Sequence, residues 1–319
     1  MAQGVTTRPR RPLVVGEVAG EVHVVRHRSG LHLRQATFGL VLLAPAFVFF
    51  MMWVFVPLVY GIYLSFTNST LTNTPQLVGL ENYRTLLHDP LWWSSLTRTF
   101  VYVGEVVVPT LVLAFVMARL VVYCRRGQAV LMSIYFMPYV VPGVVAALIF
   151  ASLFQPYGLV NTTLGLHISW LSNPGVTMYA MSITTIWSLV GFYVVIFMAG
   201  FQQISREHLD AAKVDGATVL QLVRHVELPL LRPTLVFSSV TAIAFVMTNF
   251  GTPFVLTDGG PANATTTLPL LIYDETFNYS SAGVGSAMAV VLFLLSIVLT
   301  VVMFWVVFAR GRLRVATRA

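Results

Sequence analysis

The amino-acid sequence predicts an all-α membrane protein with six transmembrane helices. The chain has 319 residues, of which 57% are apolar and only 10% are charged, and its mean hydropathy is +0.80. That composition is too apolar for a soluble domain of this length. Six apolar runs are each long enough to cross about 30 Å of hydrocarbon as a helix. They cover residues 37–66, 97–123, 130–154, 176–201, 234–256 and 284–308.

The basic residues predict which side of the membrane each loop faces. The formal net charge is +7, and seventeen of the nineteen Lys and Arg fall in four places: the arm 1–36, the end of the second run with its following turn, the loop 202–233, and the segment from Arg310 onward. Cytoplasmic loops carry an excess of Lys and Arg. Both termini and the 202–233 loop are therefore expected in the cytoplasm, and the charge gives no reason to expect nucleic-acid binding. The predicted organisation is a basic arm 1–36, a membrane domain 37–310 and a tail 311–319.

Several runs contain helix-breaking or small residues. Between the first two runs, Pro75, Gly79 and Pro90 surround a short helix predicted from Glu81 to His88. Interrupted membrane helices often line a substrate path, because freed backbone groups can face a polar cavity, although a packed kink is an equal alternative for any one proline. The interrupting residues are Pro138, Pro142 and Gly143 in the third run and Gly251 and Pro253 in the fifth. The last run opens with residues that suit close helix packing, namely Gly283, Gly285, Ser286, Ala287 and Ala289.

The 202–233 loop has the pattern of a helix-turn-helix. Ser205 is placed to cap a helix that reaches about Val214, and Asp215-Gly216 then breaks it, because Gly accepts a positive φ. Thr218 and Gln221 form a capping-box pattern for a second helix, which Pro229 is expected to stop. A surface hairpin that simply connects two spans would not need so many patterned positions. The loop is therefore predicted to dock another protein.

Ordered motifs along residues 38–310 resemble the membrane subunits of binding-protein-dependent ATP-binding-cassette (ABC) importers, in particular the carbohydrate group that includes the larger maltose permease, and also glycerol phosphate permeases. The family's loop reads Glu-Ala-Ala, three residues, Gly, and later Leu-Pro. Here it is matched by Asp210-Ala211-Ala212, Gly216 and Leu228-Pro229. Further matches are Gly79-Leu80-Glu81-Asn82-Tyr83, Met137 to Pro142, Gly158-Leu159-Val160-Asn161, Ile186-Trp187, Ala199 to Gln202 and Thr257 to Pro261.

This resemblance implies a six-helix permease core with a cytoplasmic coupling helix-turn-helix, in the cytoplasmic membrane of a bacterium or archaeon. It implies importing a sugar, such as a di- or oligosaccharide, with glycerol 3-phosphate as the alternative solute. The implied partners are a second homologous permease, two copies of an ATP-binding subunit that hold ATP and Mg²⁺, an extracytoplasmic sugar-binding protein or lipoprotein, and membrane lipid. The implied coupling residues are Glu207, Asp210, Ala211, Ala212, Asp215, Gly216, Ala217, Leu228 and Pro229. Asp210 stands where the family has Glu, one methylene longer, so coupling is expected to survive with an altered contact.

The same resemblance points to a substrate path through the third, fourth and fifth spans. Its implied residues are Tyr139, Gly143, Thr185, Leu189, Phe245 and Asn249. An aromatic face stacks on a sugar ring, and Tyr or Asn hydrogen-bonds its hydroxyls without a charge. Helix packing is an equal alternative for Phe245, whereas a polar Asn249 at depth favours ligand contact. The spans lack a cationic cluster, which disfavours phosphorylated solutes.

The sequence offers no catalytic or metal-binding constellation. A phosphate-binding P-loop needs Lys after Gly, and the single Lys213 follows Ala212, so the chain is not expected to be an enzyme or to bind a cofactor. The seven His lie outside the spans without paired metal-ligand spacing. Glu105, the one acid inside a predicted span, raises the alternative of an ion-coupled secondary transporter. Because such carriers bury several ionisable groups, a hydrogen-bonded structural carboxyl is the favoured interpretation.

Overall fold

The computed structural model describes residues 30–124 and 126–316; most of the predicted basic arm 1–36, Arg125 and residues 317–319 lie outside them. Within the described residues all regular structure is helical, apart from one isolated antiparallel bridge between Thr67 and Leu77. The chain divides into two compact units, Met1–Pro57 and Leu58–Ala319. The described part of the first unit consists of α1 (Gly30–Phe50), a π-helical turn (Met51–Phe55) and the start of α2 (Val56–Leu64).

The second unit contains the remaining helices. At one end lie α3 (Glu81–His88), which has the predicted bounds, the short helices α7 (Leu159–Leu164) and α14 (Leu268–Tyr273), and a π-helical turn (Asp274–Asn278). The long helices are α4 (Pro90–Tyr123), α8 (Pro174–Gln202) and α15 (Ala282–Ala316). The opposite end carries α9 (Arg206–Val214), α10 (Val219–Leu222), a π-helical turn (Val223–Glu227) and α11 (Leu228–Leu230). Between them run α5 (Gln128–Val140), α6 (Gly143–Leu153), α12 (Arg232–Met247) and α13 (Gly251–Leu256).

Four helical stretches are long and apolar enough to cross a bilayer: Val41–Leu64, Pro90–Tyr123, Pro174–Gln202 and Ala282–Trp305. Six are reached if each of two bent pairs counts as one span, Gln128–Val140 with Gly143–Leu153 at 94° and Val219–Leu230 with Arg232–Met247 at 73°. Helices α4 and α8 begin before the predicted spans because Asp89 and Asn173 cap them. Their side chains accept the amide hydrogens of Leu91 at 2.8 Å and Gly175 at 2.9 Å.

The interior of this unit is built on α4 and α8, which pack along most of their length. Small side chains allow the close contact: Ala114 and Ala118, one helical turn apart, are fully buried. Gly191 lets α8 approach α5, since a Cβ there would collide with the carbonyl oxygen of Tyr135. The small-residue face predicted for the last run also packs closely, because a Cβ on Gly283 would meet the carbonyl oxygen of Thr67.

Two residues of the sequence motifs, Asn82 and Asn161, hydrogen-bond the loops next to their helices. The Asn82 amide donates to the carbonyl oxygens of Ser65 and Thr67 at 2.9 and 2.8 Å, and so fixes α3 beneath the start of α15. The Asn161 amide donates to the carbonyl oxygen of Ile168 at 2.8 Å, while its oxygen accepts the indole N–H of Trp170 at 2.9 Å. These side chains satisfy loop backbone that would otherwise be unpaired.

Candidate functional site

The 202–233 segment folds as the predicted helix-turn-helix. After α9, the amides of Asp215, Gly216 and Ala217 each donate to a carbonyl of the last turn at 3.0 Å. Gly216 has φ +74°, the left-handed conformation that its position requires. The Thr218–Gln221 capping box is present, with the Gln221 side-chain oxygen 2.8 Å from the Thr218 amide. Local sequence chemistry is therefore sufficient to define this turn.

Two details of that expectation were wrong. Ser205 occupies the cap position of α9, but its hydroxyl pairs with His208 Nδ1 at 2.9 Å and does not cap the backbone. Pro229 does not stop the second helix, because the chain widens into the π-helical turn Val223–Glu227 and continues through α11. The wider turn accommodates the proline ring, which would otherwise clash with the carbonyl of the preceding turn.

Seven of the nine predicted coupling residues lie on α9 or in the turn that follows it. Glu207, Asp210, Ala211, Asp215 and Gly216 are exposed and Ala212 and Ala217 are half-buried, whereas Leu228 and Pro229 lie half-buried in the second helical stretch. Asp210 is paired across the surface with Lys213 Nζ at 3.1 Å. The sequence interpretation missed three exposed apolar side chains at the same turn, Val214, Val219 and Leu220. An apolar tip rimmed by charges is typical of a protein contact surface.

Close packing holds the two ends of this segment together. Gly200, near the end of α8, lies so near the start of α12 that a Cβ would fall 2.6 Å from Thr234 Oγ1 and 2.8 Å from Leu231 Cδ2. Leu231 is almost fully buried. The segment therefore projects from a tight α8–α12 contact.

Asn249 lies between α12 and α13, and we call this interruption of the predicted run 234–256 the break in the fifth span. Its amide nitrogen donates to the Tyr102 hydroxyl at 3.2 Å and to Thr252 Oγ1 at 3.3 Å, and its oxygen accepts the Thr252 amide at 3.3 Å. The Tyr102 hydroxyl lies 2.6 Å from Thr185 Oγ1. This polar cluster connects α4, α8 and α13, and it supplies partners for backbone freed where the helix is broken. No local pattern indicated a role for Tyr102, whose position follows from helix packing.

Of the other predicted substrate-path residues, three are exposed and two are buried. Tyr139 and Phe245 are 39% and 49% exposed, and Gly143 is exposed at the start of α6. The Tyr139 ring stacks on Phe192, with centroids 4.9 Å apart and planes 22° apart. Thr185 and Leu189 are buried within the packed face of α8. Tyr139, Gly143 and Phe245 are therefore accessible at the surface of this chain, whereas Thr185 and Leu189 are not.

Four aromatic rings that the sequence interpretation did not select form a chain from the break in the fifth span toward the α14 end. Phe250 stacks on Phe254 at 4.9 Å, Tyr273 contacts both at 5.0 and 5.2 Å, and Phe277 lies 5.1 Å from Tyr273. Phe254 and Phe277 are partly exposed. Phe250 and Phe254 stand four residues apart, as do Tyr273 and Phe277, and this spacing was visible in the sequence.

Three carboxylates lie at two further places, Glu105 in α4 and the neighbouring Asp274 and Glu275 after α14. Glu105 in α4 accepts a hydrogen bond from the Ser182 hydroxyl at 2.8 Å, in agreement with the favoured interpretation of a hydrogen-bonded side chain. At the α14 end, burial raises the pKa of Asp274, and nearby Asp258 raises it further, against the lowering effect of Asn278. Burial likewise raises the pKa of Glu275, with Asp89 and Asp274 adding to the effect.

Comparison with known proteins identifies the architecture. Residues 110–312 match the family described as binding-protein-dependent transport system inner membrane component. The sulfoquinovosyl glycerol transport system permease protein SmoG of Agrobacterium fabrum is 31% identical over 289 residues, which cover 88% of this chain and 94% of that protein. The multiple sugar-binding transport system permease protein MsmF of Streptococcus mutans is 34% identical over 265 residues, covering 81% and 90%.

The fold is also that of a solved transporter. A chain in the crystal structure of a bacterial ABC transporter involved in the import of the acidic polysaccharide alginate superposes with a TM-score of 0.76. The match covers 88% of this chain and 98% of that chain at 17% sequence identity. At that identity the likeness shows the fold alone.

Proposed function

The chain belongs to the family of binding-protein-dependent transport system inner membrane components, and from this membership we propose that it is the permease subunit of an ATP-driven importer for a sugar, such as a di- or oligosaccharide. The observation that carries the substrate class is its alignment, over more than four fifths of its length, with permeases named for a sulfoquinovosyl glycerol and a multiple sugar-binding transport system. The exposed, uncharged aromatic side chains Tyr139 and Phe245 support it.

The proposed complex contains a second homologous permease, two copies of a cytoplasmic ATP-binding subunit and an extracytoplasmic sugar-binding protein. ATP and Mg²⁺ are bound by the ATP-binding subunits. The 202–233 segment docks on one of these subunits through the turn around Gly216, with the exposed Val214 and Leu220 at the contact. This arrangement requires both chain termini and the segment to face the cytoplasm, as the basic residues predict.

Closure of the ATP-binding subunits would move the docked segment and switch the helices from inward- to outward-facing. The fold offers the required connection, because α8 and α12 meet tightly at Gly200 where the segment begins and ends. The sugar would pass the breaks in the third and fifth spans, beside Tyr139, Gly143, Phe245 and Asn249. Thr185 and Leu189 lie behind them, and Thr185 would act through its bond to Tyr102.

The test is uptake by proteoliposomes that contain the complete complex. With binding protein outside and ATP inside, at least one labelled sugar is expected to accumulate, and the same sugar should stimulate ATP hydrolysis. Uptake driven by a proton gradient without ATP would refute an ATP-driven importer in favour of an ion-coupled carrier. Accumulation of glycerol 3-phosphate alone, among sugars and phosphorylated solutes, would overturn the substrate class but retain the permease assignment.

A further inference from the structure

A charged residue at the end of the helix-turn-helix is fully buried. Glu227, the last residue of the π-helical turn Val223–Glu227, has 0% of its side chain exposed. Its Oε2 accepts a hydrogen bond from Arg119 Nε at 2.9 Å, and its Oε1 accepts one from the Tyr123 hydroxyl at 2.8 Å. The Arg119 guanidinium also lies 4.9 Å from the centre of the Tyr123 ring. We call these three residues the Glu227 cluster.

The cluster ties two elements that are far apart in sequence. Arg119 and Tyr123 stand four residues apart at the end of α4, and Glu227 follows Arg119 by 108 residues. A buried carboxylate that loses its partners is strongly unfavourable, so movement of Glu227 must carry Arg119 and Tyr123 with it. For stability alone, well-packed apolar residues of similar volume would serve as well. What the ion pair supplies is a defined distance and orientation between the π-helical turn and the end of α4, through its two hydrogen bonds.

The same helix leads to the polar cluster at the break in the fifth span. Tyr102, which contacts Asn249 and Thr185, lies on α4 seventeen positions before Arg119. That separation corresponds to about 26 Å along a helix axis. Helix α4 thus connects the end of the helix-turn-helix with the proposed sugar path.

We propose that Glu227 is a positioning residue that makes the 202–233 segment and the second span move as one body, so that ATP-driven displacement of the segment reaches the path through α4. This inference rests on the proposed function. It requires that the distance between α4 and the π-helical turn Val223–Glu227 stay the same in every state of the transport cycle.

The decisive variant replaces the ion pair by apolar side chains, Arg119→Met with Glu227→Met, in the complete complex. Assembly, melting temperature and ATP hydrolysis without substrate should stay at wild-type levels, because the buried carboxylate leaves together with the guanidinium that pairs with it. Sugar uptake per ATP hydrolysed should fall at least fivefold. Glu227→Asp should recover part of the coupling. If the apolar pair transports with wild-type efficiency, the cluster is only structural and the proposal is wrong.

A distance measurement makes the test independent of uptake. Spin labels are attached to cysteines introduced at the exposed positions Leu113 on α4 and His225 on the π-helical turn, in a Cys124→Ser background. Double electron–electron resonance then measures the distance between the two labels. The wild-type separation should be equal with and without ATP, whereas the apolar pair should show a shift on ATP binding. A shift in the wild type would overturn the proposal. If distances behave as expected but ATP drives no uptake, the proposed function fails and the connection stands.

The matched control is the exposed ion pair at the other end of the same unit. Arg84 and Glu81 are 3.7 Å apart, with side chains 75% and 62% exposed. Glu81→Gln removes a charge of the same type without disturbing buried partners, so coupling and label separation should remain unchanged. Equal losses in this control and in the apolar pair would assign the effect to charge removal in general and refute a special role for Glu227.

Discussion

Gly216 provides the sharpest test of docking through the 202–233 segment. Its φ of +74° lies in the left-handed region, and a Cβ there would meet nothing within 4 Å. Gly216→Ala therefore meets only the intrinsic left-handed penalty of about 1–2 kcal/mol. Asn tolerates this region and should cost less. Proline has φ fixed near −65°, so it cannot adopt the turn, and it also removes the amide that donates to the Lys213 carbonyl at 3.0 Å.

The series predicts graded uncoupling. A penalty of about 1–2 kcal/mol lowers the population of the competent turn about 5- to 30-fold for Ala, and about 3 kcal/mol or more lowers it over a hundredfold for Pro. The assay is sugar-stimulated ATP hydrolysis by the reconstituted complex, with copurification of the ATP-binding subunit measured in parallel. Both should decline in the order Gly, Asn, Ala, Pro, while the permease remains folded in the membrane because the turn is exposed.

Gly165 supplies the matched control for this series. It has φ +63° with nothing within 4 Å of a Cβ, and its amide donates to the Asn161 carbonyl at the opposite end of the unit. Gly165→Pro imposes the same backbone defect away from the turn, so it should leave sugar-stimulated hydrolysis intact. Wild-type coupling in Gly216→Pro, or equal uncoupling in Gly165→Pro, would refute docking through this turn.

Three further predictions concern side chains. Asp210→Lys, which reverses an exposed charge and repels Lys213, should lower sugar-stimulated ATP hydrolysis at least tenfold, whereas Asp210→Glu should retain it; equal activities would exclude Asp210 from the contact. Asn249→Leu should impair sugar uptake with assembly intact, and unchanged uptake of every sugar tested would remove Asn249 from the path. Because the folded-state pKa values of Asp274 and Glu275 are raised, their contribution to stability should grow as pH falls from neutral through those pKa values and level off below about 4. Melting curves of the purified protein at several pH values measure this, and Asp274→Asn with Glu275→Gln should flatten the trend; a trend that the double variant retains would assign it to other groups.

The sequence was informative where structure is determined locally. The bounds of α3, the left-handed Gly216 and the Thr218 capping box depend on neighbouring residues, and all three were predicted correctly. The third span shows the limit of such reasoning, since Pro138 and Pro142 gave equal signals. Pro138 remains inside α5, while the 94° bend follows the extended Val141 before Pro142, where the helical conformation is disfavoured.

Contacts between distant segments could not be predicted from local patterns. Tyr102 looks like an ordinary aromatic residue of an apolar helix, yet its hydroxyl bonds Thr185, which lies 83 residues away. Glu227 looks like a charge on a loop until it is found buried against Arg119. Both depend on the rotation of α4 relative to its neighbours. One sequence with a continuous apolar run does not specify that rotation, because its residues in contact with lipid and with protein are equally apolar.

The hydrogen-bond lengths around Asn249 are compatible with both its structural contacts and the sugar contact proposed for it. Its two donated bonds, to Tyr102 at 3.2 Å and Thr252 at 3.3 Å, are long, whereas the bond between Tyr102 and Thr185 is short at 2.6 Å. A sugar hydroxyl that replaced Tyr102 as acceptor would leave the tyrosine paired with Thr185, so no buried polar group would lose its last partner. The exchange would also loosen the contact between α13 and α4 at the break in the fifth span. Sugar binding and helix movement would then both involve the Asn249 amide. Its partner Tyr102 lies on α4, and the same helix carries Arg119, which pairs with Glu227.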